Sequence, residues 1–122
     1  MPPNLAHGKI CYLLIPAIDA AASSEFYQKV FGWRISKRSN GQISFDDGVR
    51  EVSGTWIAGM APIDAGFLHI MTDDADRTCK LVVQEGGKVV KRSAPGAREV
   101  TALFKDPAGN LFGLYQEPSL KQ

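Results

Sequence analysis

Asp106-Pro107-Ala108-Gly109-Asn110-Leu111-Phe112-Gly113-Leu114-Tyr115 is the stretch on which the fold turns. Asp-Pro followed by Gly-Asn is turn chemistry, because proline presets φ while glycine and asparagine tolerate the left-handed region. An apolar run follows at once, so the stretch reads as a tight turn entering a buried strand. A fainter copy stands earlier, where Asp46-Asp47-Gly48 leads into Val52-Ser53-Gly54-Thr55-Trp56. Val-x-Gly-x-Trp mirrors Leu-x-Gly-x-Tyr, and the echo raises the question of one unit written twice.

Working outward answers it. Residues 1 to 7 read as a loose arm. The apolar run within Lys9–Pro16 reads as a strand, and Asp19 is placed to cap a helix. Phe26, Tyr27, Val30 and Phe31 recur at helical spacing, and Gly32 ends the helix. Three strands follow, Trp33–Lys37, Gln42–Asp46 and Glu51–Ile57, the first two joined through Ser39-Asn40-Gly41. After a linker the order repeats: strand Phe67–Thr72, a helix capped by Asp73 or Asp74 and ended by Gly86-Gly87, then strands Lys88–Lys91, Val100–Lys105 and Asn110–Gln116. Asp19 and Asp74 are 55 residues apart, as are Gly32 and Gly87, whereas Gly54 and Gly113 are 59 apart. The sequence therefore predicts an α+β fold of two tandem βαβββ modules, residues 8–57 and 65–117 with a linker at 58–64. A half this small struggles to bury a core alone, so the halves are expected to pack into a concave mixed sheet as a single domain.

Composition bounds the function. The 122 residues are 44% hydrophobic and carry a formal charge of +1, with 14 basic and 13 acidic side chains. That balance gives no electrostatic footprint for nucleic acid or an anionic membrane surface. No apolar stretch reaches the length of a membrane span, and Met1-Pro2-Pro3-Asn4 reads as neither a signal nor a transit peptide. Cys11 and Cys79 have no metal or redox spacing and read as reduced thiols of a cytoplasmic protein.

Ser24-Glu25-Phe26-Tyr27-Gln28-Lys29-Val30-Phe31-Gly32-Trp33 and Asp106-Pro107-Ala108-Gly109-Asn110 resemble the helix end and the last turn of the vicinal oxygen chelate superfamily. That superfamily includes glyoxalase I, bleomycin-resistance proteins and extradiol dioxygenases. The resemblance implies a cleft whose floor, in metal-dependent members, takes one ligand from the first strand and one from the last strand of each half. It places those ligands at Tyr12, Gly54, Phe67 and Gly113. Three of the four offer no donor side chain, and Tyr12 offers only a phenol, so no cofactor and no metal site are expected; a divalent metal is the alternative. The resemblance also implies a homodimer.

Strand parity puts Tyr12, Leu14, Trp56, Phe67, His69, Met71 and Tyr115 on the cleft side, an aromatic lining suited to a flat or apolar small organic ligand. His69 shares the face of Phe67 and is open to three readings: a histidine bonded to a neighbour, a ligand-contacting or acid–base group, or a metal ligand. Asp46, Asp47, Arg50, Glu51 and Arg98 are candidates for polar work at the cleft mouth. Three functions compete: a binding protein with a metal-free cleft, a lyase, isomerase or dioxygenase with or without metal, and a structural module whose cleft is filled.

Overall fold

The computed structural model describes residues 5–120, so only part of the expected N-terminal arm falls within it. The chain divides into two compact units that meet in sequence at Ala61 and Pro62. Each is a βαβββ module with its own four-stranded sheet.

In unit 1 the order is β1 (Tyr12–Pro16), α1 (Ala20–Phe31), β2 (Arg34–Lys37), β3 (Ile43–Asp46) and β4 (Ser53–Ile57), with sheet order β1-β4-β3-β2. β1 runs parallel to β4 and the other pairs are antiparallel. Pro16 has no N–H to extend a strand ladder. Asp19 then caps α1, its Oδ1 accepting from the Ala21 and Ala22 amides at 3.0 and 3.3 Å. Gly32, at φ 74°, is the left-handed residue that stops the helix. The helix buries Phe26, Tyr27 and Val30. The Trp33 ring stacks between Tyr27 and Phe45, with centroids 4.6 and 4.5 Å away, and Phe45 continues the cluster to Trp56 at 4.8 Å. Such pairs contribute about 0.5–1.5 kcal/mol each beyond their burial.

Unit 2 runs β5 (Asp64–Thr72), α2 (Ala75–Gln84), β6 (Lys88–Arg92), β7 (Thr101–Lys105), β8 (Leu111–Gln116) and a short 3-10 turn (Pro118–Leu120), with sheet order β5-β8-β7-β6. β5 begins at Asp64, ahead of the expected Phe67, and its register against β8 shifts between Ala65 and His69. Asp74 rather than Asp73 is the cap, accepting from Arg77 N at 3.1 Å, while Asp73 pairs with the Arg77 guanidinium at 3.0 Å. The left-handed residue after α2 is Gly86 at φ 96°, which makes its separation from Gly32 54 residues instead of the expected 55. Val82, Phe104, Phe112 and Leu114 are fully buried and form the centre of this core.

The turn that organises the sequence organises unit 2 as well. The Asp106 backbone N–H donates to Asn110 O at 3.0 Å, closing the loop. Inside it, Asp106 Oδ1 accepts from the amides of Ala108 and Asn110 at 3.0 and 2.9 Å. Asp106 Oδ2 accepts from Asn110 Nδ2 at 2.9 Å. Asn110 Oδ1 in turn accepts from Ile63 N at 3.0 Å, pinning the entry to β5.

Asp47 plays the corresponding part in unit 1. Its carboxylate accepts from the amides of Val49, Glu51 and Val52, and its own N–H donates to Val52 O at 3.0 Å. This loop closes from residue 47 to 52 where the other closes from 106 to 110, so it holds one residue more. Arg50 within it takes φ 63°, in the left-handed region.

Candidate functional site

The extra residue decides which side chains share a face. Phe45 pairs with Gly54 and Phe104 with Phe112, so Gly54 corresponds to Phe112, both opposite buried phenylalanines. Across β1, Leu14 pairs with Thr55; across β5, the corresponding His69 pairs with Gly113. Thr55 therefore corresponds to Gly113, a separation of 58 residues, and the expected equivalence of Gly54 with Gly113 is corrected. A one-residue difference before a strand carries its side chains to the opposite face.

Each sheet has its helix against one face, and the other face is called open here. In unit 1 Tyr12 and Leu14 lie on the open face and are exposed, beside Ser53 and Thr55. Trp56 pairs with Ile15 and shares its helix-side face; it is only 5% exposed and packs on Phe45 and Tyr27. The expectation that Trp56 lines the same face as Tyr12 is thus corrected by the register. Its buried Nε1–H makes no hydrogen bond. In unit 2 Phe67, His69 and Met71 alternate on the open face of β5, next to Gly113 and Tyr115 of β8. Phe67 is 84% exposed, a large apolar surface left uncovered.

On the open face of unit 2 the β5–β8 side carries Phe67, Met71 and Leu111 around one imidazole position, and Lys88, Lys91 and Lys105 lie on the same face of β6 and β7. Leu103 and Leu111 approach Gly66 from β7 and β8, their methyl carbons 3.6 Å from where a Cβ would stand. His69 Nδ1 lies 3.4 Å from the Phe67 carbonyl oxygen. The Tyr115 phenol is held above its ordinary range by the Glu117 carboxylate, then by burial and by Glu99. A phenol so placed stays protonated and offers an O–H rather than a phenolate.

With the register corrected, the four positions at which the resembling family holds metal are Tyr12, Thr55, Phe67 and Gly113. The Thr55 hydroxyl is already engaged, donating to Ile43 O at 2.6 Å. No imidazole or carboxylate stands at any of the four, and among the described residues no group of three or more His, Cys, Asp and Glu side chains gathers to hold a metal. The donor set does not fit a divalent ion, which needs about three protein ligands in a catalytic site.

Asp46 and Asp47 are turn formers: Asp46 Oδ1 accepts from Gly48 N at 2.7 Å and Asp47 wraps its loop. A hollow of about 530 Å³ that the sequence did not announce lies between α2 and β6, bounded by Asp76, Cys79, Lys80, Val83, Val89 and Arg92. It is on the helix side, since Val89 and Arg92 pair with buried Phe104 and Ala102. Arg92 closes it against Asp76 at 2.6 Å. Burial pushes the Cys79 thiol up, Arg92 opposing and Asp76 adding to the shift. The only hint in the sequence was the spacing of Asp76, Lys80 and Val83 along one side of α2.

The same arrangement of strands and helices recurs in known proteins. The chain is 24% identical to the lactoylglutathione lyase of Escherichia coli O157:H7, over 89% of this chain and 93% of that protein. An antibiotic binding protein from Streptomyces sp. CB03234 superposes with a TM-score of 0.69 at 20% identity, over 93% of this chain and 98% of that one. A fosfomycin resistance protein from Mesorhizobium loti gives a TM-score of 0.69 at 19% identity, over 93% of this chain and 94% of that one. Identities this low carry the fold and not the ligand. The sequence pattern of one family runs from residue 9 to residue 114, through both modules and the organising turn. On that match the chain belongs to the Glyoxalase/Bleomycin resistance protein/Dioxygenase superfamily.

Proposed function

We propose that this chain is a metal-free binding protein of the superfamily, taking a flat, apolar small molecule on the open face of the unit 2 sheet. Phe67, His69, Met71 and Tyr115 are the contacts there; Tyr12 and Leu14 are the corresponding exposed side chains on the sheet of unit 1. The observation that carries this reading is the exposure of Phe67, at 84%, beside an exposed Met71 on the same strand face. Uncovered apolar side chains grouped on one face mark a binding surface more often than scattered ones do. The donor-poor residues at the four metal positions support it, as does the sharing of this fold by an antibiotic binding protein and a fosfomycin resistance protein.

The reading includes a homodimer and a cytoplasmic location. β1 and β5 are edge strands without lysine or arginine, whereas β2 and β6 carry Arg34, Lys37, Lys88, Lys91 and Arg92. Charged edges resist pairing and uncharged ones invite cover. Light scattering is expected to give the mass of two chains; a monomer mass at micromolar concentration contradicts the pairing. No helix among the described residues is long and apolar enough to cross a membrane.

Thermal melts against a panel of planar aromatic compounds test the ligand site. A ligand at a hundred times its Kd adds about 2.7 kcal/mol to the native state. The melt is expected to rise in the wild type and to stay flat when Phe67 and Met71 are both replaced by serine. A panel that moves neither protein, or moves both equally, contradicts the site. His69 supports a second reading, an acid–base enzyme of the lyase or isomerase type, because it is an exposed imidazole flanked along β5 by Phe67 and Met71. Lyase or isomerase turnover that is lost in His69→Ala, with no dependence on added metal, would establish it.

A further inference from the structure

The glycine at position 113 lies within an extended strand, with no left-handed backbone to explain it. What explains it is the ring above it. A Cβ built on Gly113 would stand 2.7 Å from Cδ2 and from Nε2 of His69, and 2.9 Å from Cε1. No side-chain carbon fits there, so the imidazole of β5 occupies the room that a side chain on β8 would need. The ring lies with its Nε2 edge over β8 and its Nδ1 toward the Phe67 carbonyl, 3.4 Å away.

We propose that Gly113 is a positioning residue that seats the His69 imidazole, and that the seated ring gives the open face of unit 2 a preference for planar ligands bearing one hydrogen-bond donor. The proposal rests on the ligand-binding reading above for its second half only. A carbonyl accepts and cannot donate, so the proton is assigned to Nδ1, the nitrogen facing it, and Nε2 is left as the acceptor. Of the side chains that share this sheet face, Phe67, Met71, Leu103 and Leu111 offer no hydrogen bond, Lys91 and Lys105 only donate, and the hydroxyls of Tyr115 and Thr101 stand one pair further along β8 and β7. A ligand of the same shape without a donor covers the apolar groups and leaves Nε2 stripped of water, which is where discrimination arises. The class favoured is a hydroxylated or N–H-bearing aromatic; an aromatic ether of the same outline is disfavoured.

Two measurements separate the halves. Long-range proton–nitrogen NMR at mildly alkaline pH, where imidazoles are neutral, reads the tautomer of His69, and nuclear Overhauser contacts read its distance to the Gly113 α-protons. The wild type is expected to show the Nδ1–H form and a strong contact from the imidazole Hδ2. Gly113→Ala is expected to lose the Nδ1–H pattern, because the ring must swing away. The wild-type contact needs no variant, so it decides the seat even if Gly113→Ala folds poorly. A wild-type Nε2–H tautomer, or an absent contact, overturns the seating.

The ligand preference is read with 2-naphthol and 2-methoxynaphthalene, which share an outline and differ in the donor. The wild type is expected to bind the naphthol about fivefold more tightly, the ratio of one net hydrogen bond. The ratio should fall to about one in His69→Phe and in Gly113→Ala. Equal binding of both probes by the wild type overturns the preference while leaving the ligand site standing. Binding of neither overturns the preference together with the ligand-binding reading, and leaves the seat to the NMR result.

Discussion

Asp106→Ala is expected to lose at least about 3 kcal/mol of stability. The carboxylate is 3% exposed and the Asn110 side chain 0% exposed, so water cannot replace what is removed. Three buried donors lose their acceptor: the amides of Ala108 and Asn110, and Asn110 Nδ2. Each unsatisfied buried donor costs about 1–3 kcal/mol. The damage spreads, because Asn110 Oδ1 holds Ile63 N at the entry to β5 and Asn110 would no longer be anchored. A domain of this size holds about 5–15 kcal/mol in all, so the variant sits near the edge of folding. Denaturant titration should move the midpoint sharply with an unchanged slope. Asp47→Ala makes a useful control, since its partner amides at Val49 and Glu51 lie in an exposed loop where water can take over. Equal losses in the two variants would contradict the assignment of Asp106 as the structural centre of the unit.

Gly54→Ala and Gly113→Ala are expected to behave very differently. A Cβ on Gly54 would meet the Leu13 carbonyl oxygen and the Phe45 ring, the latter at 2.5 Å. The oxygen belongs to the backbone of β1, which is paired with β4, and cannot retreat without parting the two strands. Phe45 is held between Trp33 and Trp56 and has no room either. Overpacking of this kind costs about 1–3 kcal/mol and can exceed it when backbone must move. The three atoms nearest to a Cβ on Gly113 all belong to the His69 imidazole, an exposed side chain that can swing out, and the stability change should stay below about 1 kcal/mol. Calorimetric or denaturant comparison of the two variants tests the register directly. Similar losses would mean that the glycines are equivalent after all and that the 58-residue correspondence is wrong.

That pair of glycines also marks the limit of what the sequence announced. Helix starts were legible because Asp19 and Asp74 have one local job, accepting first-turn amides. The modules were legible because apolar runs and turn residues recur in the same order. The face of β4 was not. The Asp47 loop looked like the Asp106 loop in composition, and nothing in the letters said that it closes over one residue more. With a strand period of two, that single residue moved Trp56 from the expected ligand face into the aromatic cluster and put Thr55 where a glycine had been expected. Parity held on β5, where Phe67, His69 and Met71 alternate as read, because the helix cap two residues later fixes the strand's end. The seating of His69 on Gly113 is a contact between strands 44 residues apart in sequence, which no local pattern encodes. The hollow between α2 and β6 was missed for the same reason.

The central claim is that binding here proceeds without a resident metal, and elemental analysis of the purified, gel-filtered protein tests it most directly. Tyr12, Thr55, Phe67 and Gly113 supply no imidazole or carboxylate, and an isolated His69 gives one donor where about three are needed. Divalent metal brought down with the protein should therefore be far below one ion per chain and removable by mild chelator. One tightly held zinc, nickel, manganese or iron per chain, surviving chelator and lost in His69→Ala, would contradict the account.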